Sequence, residues 1–96
     1  MEFEWDENKN KSNLEKHGVD FNQAKEAFYD KDKIEITDNR KDYGEERKKI
    51  IGKAMDLFLS VIYTMRGAAI RIISARAASR KERKDYNNNK TTQDGN

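Results

Sequence analysis

The distribution of apolar and polar positions along the chain predicts two helices near the N-terminus. Residues 3–5 alternate apolar and acidic side chains and predict a short strand. Asp6 is a suitable N-cap for a first helix that runs to His17, and Gly18 is typical of a helix end. Apolar residues at helical spacing over 21–29 predict a second helix.

The first of these helices is rich in asparagine, and its sequence favours a helix only weakly. Leu14 is nearly its only apolar residue. Because helix propensity is low in this segment, we expect the helix to be stabilised by packing through Leu14 rather than by its own sequence.

The second half of the chain predicts strands and one further helix. Alternating or continuous apolar runs predict strands at 33–37, 45–54, 57–65 and 69–75, with Arg66 and Gly67 forming the last hairpin turn. Ser79 and Glu82 have the spacing of a capping box, which predicts a helix that ends near Tyr86. Residues 87–96 contain no apolar side chain and are expected to be disordered.

This element order predicts one α+β domain over residues 1–86, followed by a polar tail. The last four strands follow one another closely, so a small antiparallel meander is expected. The two N-terminal helices are expected to pack on one face of this sheet, and the C-terminal helix completes the domain.

Composition excludes several classes of protein. The chain has 96 residues, of which 34% are hydrophobic and 40% are charged, so its core must be thin. It contains no cysteine and one histidine, which leaves no disulfide and no zinc site, and we expect neither a metal nor a cofactor. The acidic N-terminus is unlike a signal peptide, so a soluble cytoplasmic protein is expected.

The charges are divided unevenly along the chain. Residues 2–46 carry 14 acidic and 8 basic side chains, whereas residues 47–86 carry 11 basic and 3 acidic ones. Such a division is expected when one face binds a polyanion and another binds a basic partner. A solvated charged surface is the alternative explanation.

Arginines at the junction of the last strand and the last helix are the main candidates for phosphate binding. Arg71, Arg76 and Arg80 lie on a strand, at its end and at a helix start, and a guanidinium pairs bidentately with phosphate. Such groups can also stabilise negative charge that develops on a phosphate. The alternative is that Arg76 and Arg80 pair only with acidic residues of the segment 38–46.

The segment 38–47 concentrates ionisable side chains beside a predicted turn. Arg40 and Arg47 could bind phosphate, and Glu45 could act as a general base or as an ion-pair anchor for the arginines.

Three further side chains have both a functional and a structural interpretation. His17 has an ordinary pKa near neutrality and could transfer a proton, but histidine is also common in the last turn of a helix. Tyr63 and Tyr86 could stack on nucleic-acid bases or belong to the core, and Tyr86 is the better stacking candidate.

Five segments, taken in order, resemble a known family. These are FEWDENKN at the start, KHGVDF at 16–21, DNRKDYGEERKKIIG at 38–52, VIYTMRG at 61–67 and RIISARAASRKERKDY at 71–86. Together they resemble the BrnT toxins of bacterial type II toxin–antitoxin systems. The Asn-rich residues after Tyr86 have no counterpart in this pattern.

The resemblance implies a RelE-like fold, cleavage of RNA that arrests translation, and neutralisation by a BrnA-like antitoxin with a ribbon-helix-helix DNA-binding domain. Operator DNA would be bound only through that antitoxin. A non-catalytic nucleic-acid-binding module, or an inactive toxin homologue, is the alternative. The candidate catalytic residues are Arg71, Arg76, Arg80, Glu45 and His17, and the candidate RNA-binding residues are Arg40, Arg47, Lys81, Arg83 and Tyr86.

Overall fold

The structure, a computed structural model, describes residues 1–38 and 44–94. Five strands and three α-helices follow the predicted order. They are β1 (Glu2–Glu4), α1 (Glu7–His17), α2 (Phe21–Ala24), which continues as a 3₁₀ helix (Lys25–Tyr29), β2 (Ile34–Asp38), β3 (Arg47–Ala54), β4 (Leu57–Arg66), β5 (Ala69–Ala77) and α3 (Arg80–Asp94).

The strands form one five-stranded sheet in the order β1-β5-β4-β3-β2. The predicted antiparallel meander is confirmed for β2 to β5. The expectation of a purely antiparallel sheet is wrong, because β1 pairs with β5 in parallel and makes the sheet mixed. Two helices separate β1 from the meander, and a connection of that length allows β1 to run parallel or antiparallel to its neighbour. The alternation of apolar residues predicts a strand but not its direction.

Helix α1 begins and ends as predicted. The Asp6 side chain accepts hydrogen bonds from the backbone N–H groups of Asn8 and Lys9, and Gly18 ends the helix at a φ of 71°. The predicted anchor is wrong, however. Leu14 is 47% exposed, whereas Asn10 and Asn13 are buried and hydrogen-bonded to the rest of the fold.

Asn13 closes the edge of β5 beyond the end of β1. Its side-chain amide donates to the carbonyl of Ala75 at 2.7 Å and accepts from the N–H of the same residue at 3.1 Å. A neighbouring strand would make the same pair of bonds. One polar side chain therefore fixes α1 against the sheet.

The core lies between the sheet and the two N-terminal helices, as expected. Phe21 and Phe28 pack there on the inward residues of the central strands. Gly52 allows the closest approach, because a Cβ at this position would lie 2.7 Å from the Ala27 carbonyl oxygen. The 3₁₀ helix can therefore lie directly on β3.

Helix α3 packs on the opposite face of the sheet and covers one end of it. Tyr86 stacks edge-on against Phe58. The helix runs to Asp94 and thus continues well past its predicted end near Tyr86, through residues expected to lack structure. Once a capped helix has started, each further residue adds a backbone hydrogen bond, and no proline or glycine interrupts the sequence from Arg80 to Asp94.

The helices within the described ranges are too short or too polar to cross a lipid bilayer.

Candidate functional site

Several basic residues share the sheet face that α3 covers only in part. Paired residues of neighbouring strands lie on the same face, and this face alternates with the core face along each strand. Successive pairs place Lys49 beside Ile62 and Ser74, Arg76 beside Ser60, and Arg71 beside Thr64. Arg47 precedes Lys49 by two residues on β3. We call Arg47, Lys49, Arg71 and Arg76 the basic sheet face.

Glu82 is the centre of a charged cluster on this face. Both terminal nitrogens of Arg76 donate to its carboxylate, with Nη1–Oε1 2.8 Å and Nη2–Oε2 3.0 Å. The Lys49 ammonium donates to Oε2 at 2.9 Å, and the Ser60 hydroxyl lies 3.5 Å from the same oxygen. One carboxylate on α3 therefore holds residues from three strands, β3, β4 and β5.

The position of Glu82 follows from the local sequence. Its backbone N–H donates to the Ser79 hydroxyl at 3.1 Å, and its carboxylate accepts the Ser79 N–H at 2.8 Å. This reciprocal pair confirms the predicted capping box. The cap directs the carboxylate of Glu82 back towards the end of β5.

The same contacts determine the protonation state of Glu82. Its burial acts to raise the pKa, but hydrogen bonds from Arg76, Lys49 and the Ser79 backbone outweigh it and hold the pKa far below its ordinary range. Glu82 is therefore an anion near neutral pH and a poor proton acceptor. It positions the two cations.

Arg76 pairs with Glu82 and not with the segment 38–46, as far as the described residues show. It also donates to the Ala77 carbonyl through Nη1. A guanidinium has five N–H donors, and three of them are used in these contacts. The Nε–H and one N–H of Nη2 can therefore donate to a ligand. The side chain is 43% exposed, and a phosphate can therefore reach it.

Arg71 is fixed by the parallel strand. Glu4 pairs directly with Arg71 in the sheet, and its carboxylate lies 3.2 Å from Nη1. Glu4 on the short strand β1 thus orients the guanidinium of Arg71, which is a candidate catalytic residue.

Glu45 and Arg47 lie together where β3 begins. The Glu45 carboxylate is 3.6 Å from Arg47 Nη2. This contact fits the ion-pair anchor that the sequence allowed, although Glu45 is also exposed enough to accept a proton. Arg40 lies outside the described residues.

The candidates on α3 lie apart from the basic sheet face. Arg80 and Arg83 line an outer cleft with Phe58, and Lys81 pairs with Asp85 at 3.0 Å on the helix surface. His17 is exposed at the end of α1, where it faces a separate cleft beside Ser74.

The two tyrosines belong to the core. Tyr86 is 3% exposed and donates a 2.6 Å hydrogen bond to Asp30, while Tyr63 is 6% exposed and donates to Glu35. Burial and the neighbouring carboxylates raise the pKa of both phenols above the ordinary value. The expectation that Tyr86 stacks on bases is corrected, because its ring already packs against Phe58.

The comparison with protein families decides the identity of the chain. Residues 5–82 match the family described as ribonuclease toxin, BrnT, of type II toxin–antitoxin systems. The chain belongs to the BrnT family. No curated protein sequence matches it. As a BrnT-family protein, it has RNA as its substrate class and an antitoxin as its partner.

For this BrnT-family chain, sequence reasoning missed two functional candidates. Lys49 was not selected, although it alternates with Arg47 on a strand that ends in apolar residues. Glu82 was interpreted only as a capping residue. Nothing in its spacing indicated that the same carboxylate would also bind Arg76 and Lys49. The described residues contain no group of three His, Asp or Glu side chains suited to a metal ion.

Proposed function

We propose that this BrnT-family toxin cleaves RNA at the basic sheet face without a metal ion and thereby arrests translation. The ribose 2′-hydroxyl attacks the adjacent phosphorus, and its proton passes to a carboxylate. Glu45 is our candidate for this base. The bond from phosphorus to the 5′-oxygen breaks, and that oxygen takes a proton from solvent, leaving a 2′,3′-cyclic phosphate and a 5′-hydroxyl.

The observation that supports this proposal is the cluster formed by Arg76, Lys49 and Glu82. Cations that are fixed before the substrate arrives stabilise developing negative charge without reorganisation. Arg71 extends the same face and is oriented by Glu4 at 3.2 Å. Arg76 thus binds the reacting phosphate with Lys49 beside it, and Arg71 binds the RNA backbone further along the same face.

The partner in this proposal is a BrnA-like ribbon-helix-helix antitoxin that acts in the cytoplasm. Acidic or apolar groups of the antitoxin cover Arg71 and Arg76 and block RNA, because complementary charge favours that contact. The antitoxin dimer imposes an even number of toxin copies and binds operator DNA on behalf of the complex. The meander and the N-terminal helices support a RelE-like relationship.

The test is digestion of total RNA in the presence of chelator. We expect wild type to cleave, Arg76→Ala to lose cleavage, and Arg76→Lys to recover it only in part, since lysine retains the charge but not the fork. Lys31→Ala, an exposed turn residue, is the control and should cleave as wild type does. The chemical ends of the RNA fragments are then determined, because the proposed mechanism leaves a 2′,3′-cyclic phosphate and a 5′-hydroxyl.

Three outcomes contradict the proposal. Activity that requires added magnesium refutes the metal-independent mechanism. Full activity in a folded Arg76→Ala variant removes Arg76 from the mechanism. Binding of RNA without any cleavage supports the non-catalytic alternative.

A further inference from the structure

A cleft of about 180 Å³ lies between α1 and β5, outside the basic sheet face. Both elements contribute polar or basic side chains to it. Its lining includes Lys9, Ser12, Lys16 and His17 from the helix and Ile73 and Ser74 from the strand.

The cleft results from the way the sheet edge is built. Strand β1 pairs with β5 only as far as Arg71, so α1 replaces it along the rest of that edge. The register of β4 and β5 shifts between Ile62 and Tyr63, which leaves Ile73 as an extra residue in β5. Asn13 holds the helix against the strand just beyond this irregularity.

The chemistry of the lining suits a phosphate group. Lys9 and Lys16 are seven residues apart and therefore lie on the same side of α1. Neither lysine forms an ion pair with the described residues, so the positive charge of both lysines is not neutralised there. The hydroxyls of Ser12 and Ser74 add short hydrogen-bond donors.

The cleft is continuous with the basic sheet face through Ser74. This residue pairs with Ile62, which pairs with Lys49, so all three lie in one row across that face. Arg76 follows Ser74 by two residues, which is about 7 Å along a strand. A single strand of nucleic acid bound at Arg76 can therefore reach the cleft with a neighbouring part of its backbone.

We propose that the cleft is a phosphate subsite for single-stranded RNA, which binds a backbone phosphate away from the one that is cleaved. His17 then contacts the RNA backbone as a binding residue rather than transferring the proton of the reaction. The inference rests on the proposed function, because it extends the same RNA-binding surface.

Counterion release gives the expected size of the effect. Each phosphate contact to a single strand adds roughly 0.7 to the magnitude of the slope of log K against log salt concentration. The same relation makes binding at 0.1 M salt about fivefold tighter per contact than binding at 1 M salt.

The probe is a fluorescent 20-nucleotide oligo(dT), which cannot be cleaved because it lacks the 2′-hydroxyl. Its affinity is measured by anisotropy over a series of salt concentrations. We compare Lys16→Gln with Lys11→Gln, which removes the same charge from α1 but does not line the cleft. Lys16→Gln should lower the affinity about fivefold and reduce the slope by about 0.7, whereas Lys11→Gln should leave the slope unchanged.

A second variant, Lys9→Gln with Lys16→Gln, should reduce the slope by about 1.4 if each lysine contacts a phosphate. Thermal melting confirms that the variants fold, since both lysines are exposed. Equal slopes for Lys16→Gln, Lys11→Gln and wild type overturn the subsite while RNA cleavage still stands. If wild type binds no oligonucleotide at all, the subsite fails and the proposed RNA-binding face fails with it.

Discussion

Replacing Glu82 with glutamine tests the charged cluster most directly. Glutamine retains an oxygen that can accept the Ser79 N–H, so the helix cap is preserved while the negative charge is lost. Arg76 and Lys49 would then lie side by side without their shared anion. We expect the variant to be less stable than wild type and less able to hold Arg76 in place.

The contacts give the size of this loss. Removing one partner of a buried ion pair costs roughly 3–5 kcal/mol. Arg76 and Lys49 are 43% and 21% exposed and can regain some hydration, so we expect a lower cost, about 2 kcal/mol. For a domain of this size, about 1 kcal/mol lowers the melting temperature by roughly 4–8 °C, which predicts a decrease of about 8–16 °C.

The assay is thermal unfolding followed by circular dichroism, with Glu26→Gln as the matched control. Glu26 is an exposed carboxylate on the 3₁₀ helix, and its replacement should change the free energy of unfolding by less than about 0.5 kcal/mol. A melting temperature for Glu82→Gln that equals that of Glu26→Gln would refute the role assigned to the cluster.

The pH dependence gives an independent check on the same carboxylate. Because the folded-state pKa of Glu82 is depressed, its contribution to stability is complete above the unfolded pKa of about 4.3 and declines as the pH falls below it. Wild type should therefore lose stability on acidification faster than Glu82→Gln. The two melting temperatures should converge at low pH, and a constant difference would contradict the linkage.

Two further substitutions test the packing around the site. Gly52→Ala should lower the free energy of unfolding by about 1–3 kcal/mol, measured by urea denaturation, because the new methyl group would meet the carbonyl of Ala27; unchanged stability would show that the 3₁₀ helix can move away. Tyr86→Phe should cost about 1 kcal/mol through the lost hydrogen bond to Asp30 and leave RNA cleavage intact, and a large loss of activity at unchanged stability would show that the Tyr86 hydroxyl takes part in cleavage.

The sequence predicted most of the fold because its signals were local. Cap residues such as Asp6 and Gly18 act within one turn of helix, and alternation marks a strand wherever it occurs. Leu14 shows where this reasoning fails. The helix is held instead by the buried Asn13, which hydrogen-bonds to Ala75 on a strand that is distant in the sequence, and a local pattern cannot reveal such a contact.

The candidate site was predicted in part for the same reason. Arg71 and Arg76 were selected from their residue type and their strand, and the structure places both on one face. The pairing of Arg76 with Glu82 depends on how α3 returns to the sheet, so spacing alone could not reveal it. Tyr86 was the better stacking candidate because Tyr63 lies in a central strand, yet the Tyr86 ring lies against Phe58 on the sheet.

The closure of β5 by Asn13 also limits how copies of this chain can associate. An unpaired strand edge can recruit another sheet, and continuous filaments require two such edges on each molecule. On one side, β1 offers only three residues, and beyond them the Asn13 amide already occupies the N–H and the carbonyl of Ala75 on β5. Within the described residues, β2 is the one longer edge, so edge-to-edge pairing ends at two copies and does not propagate.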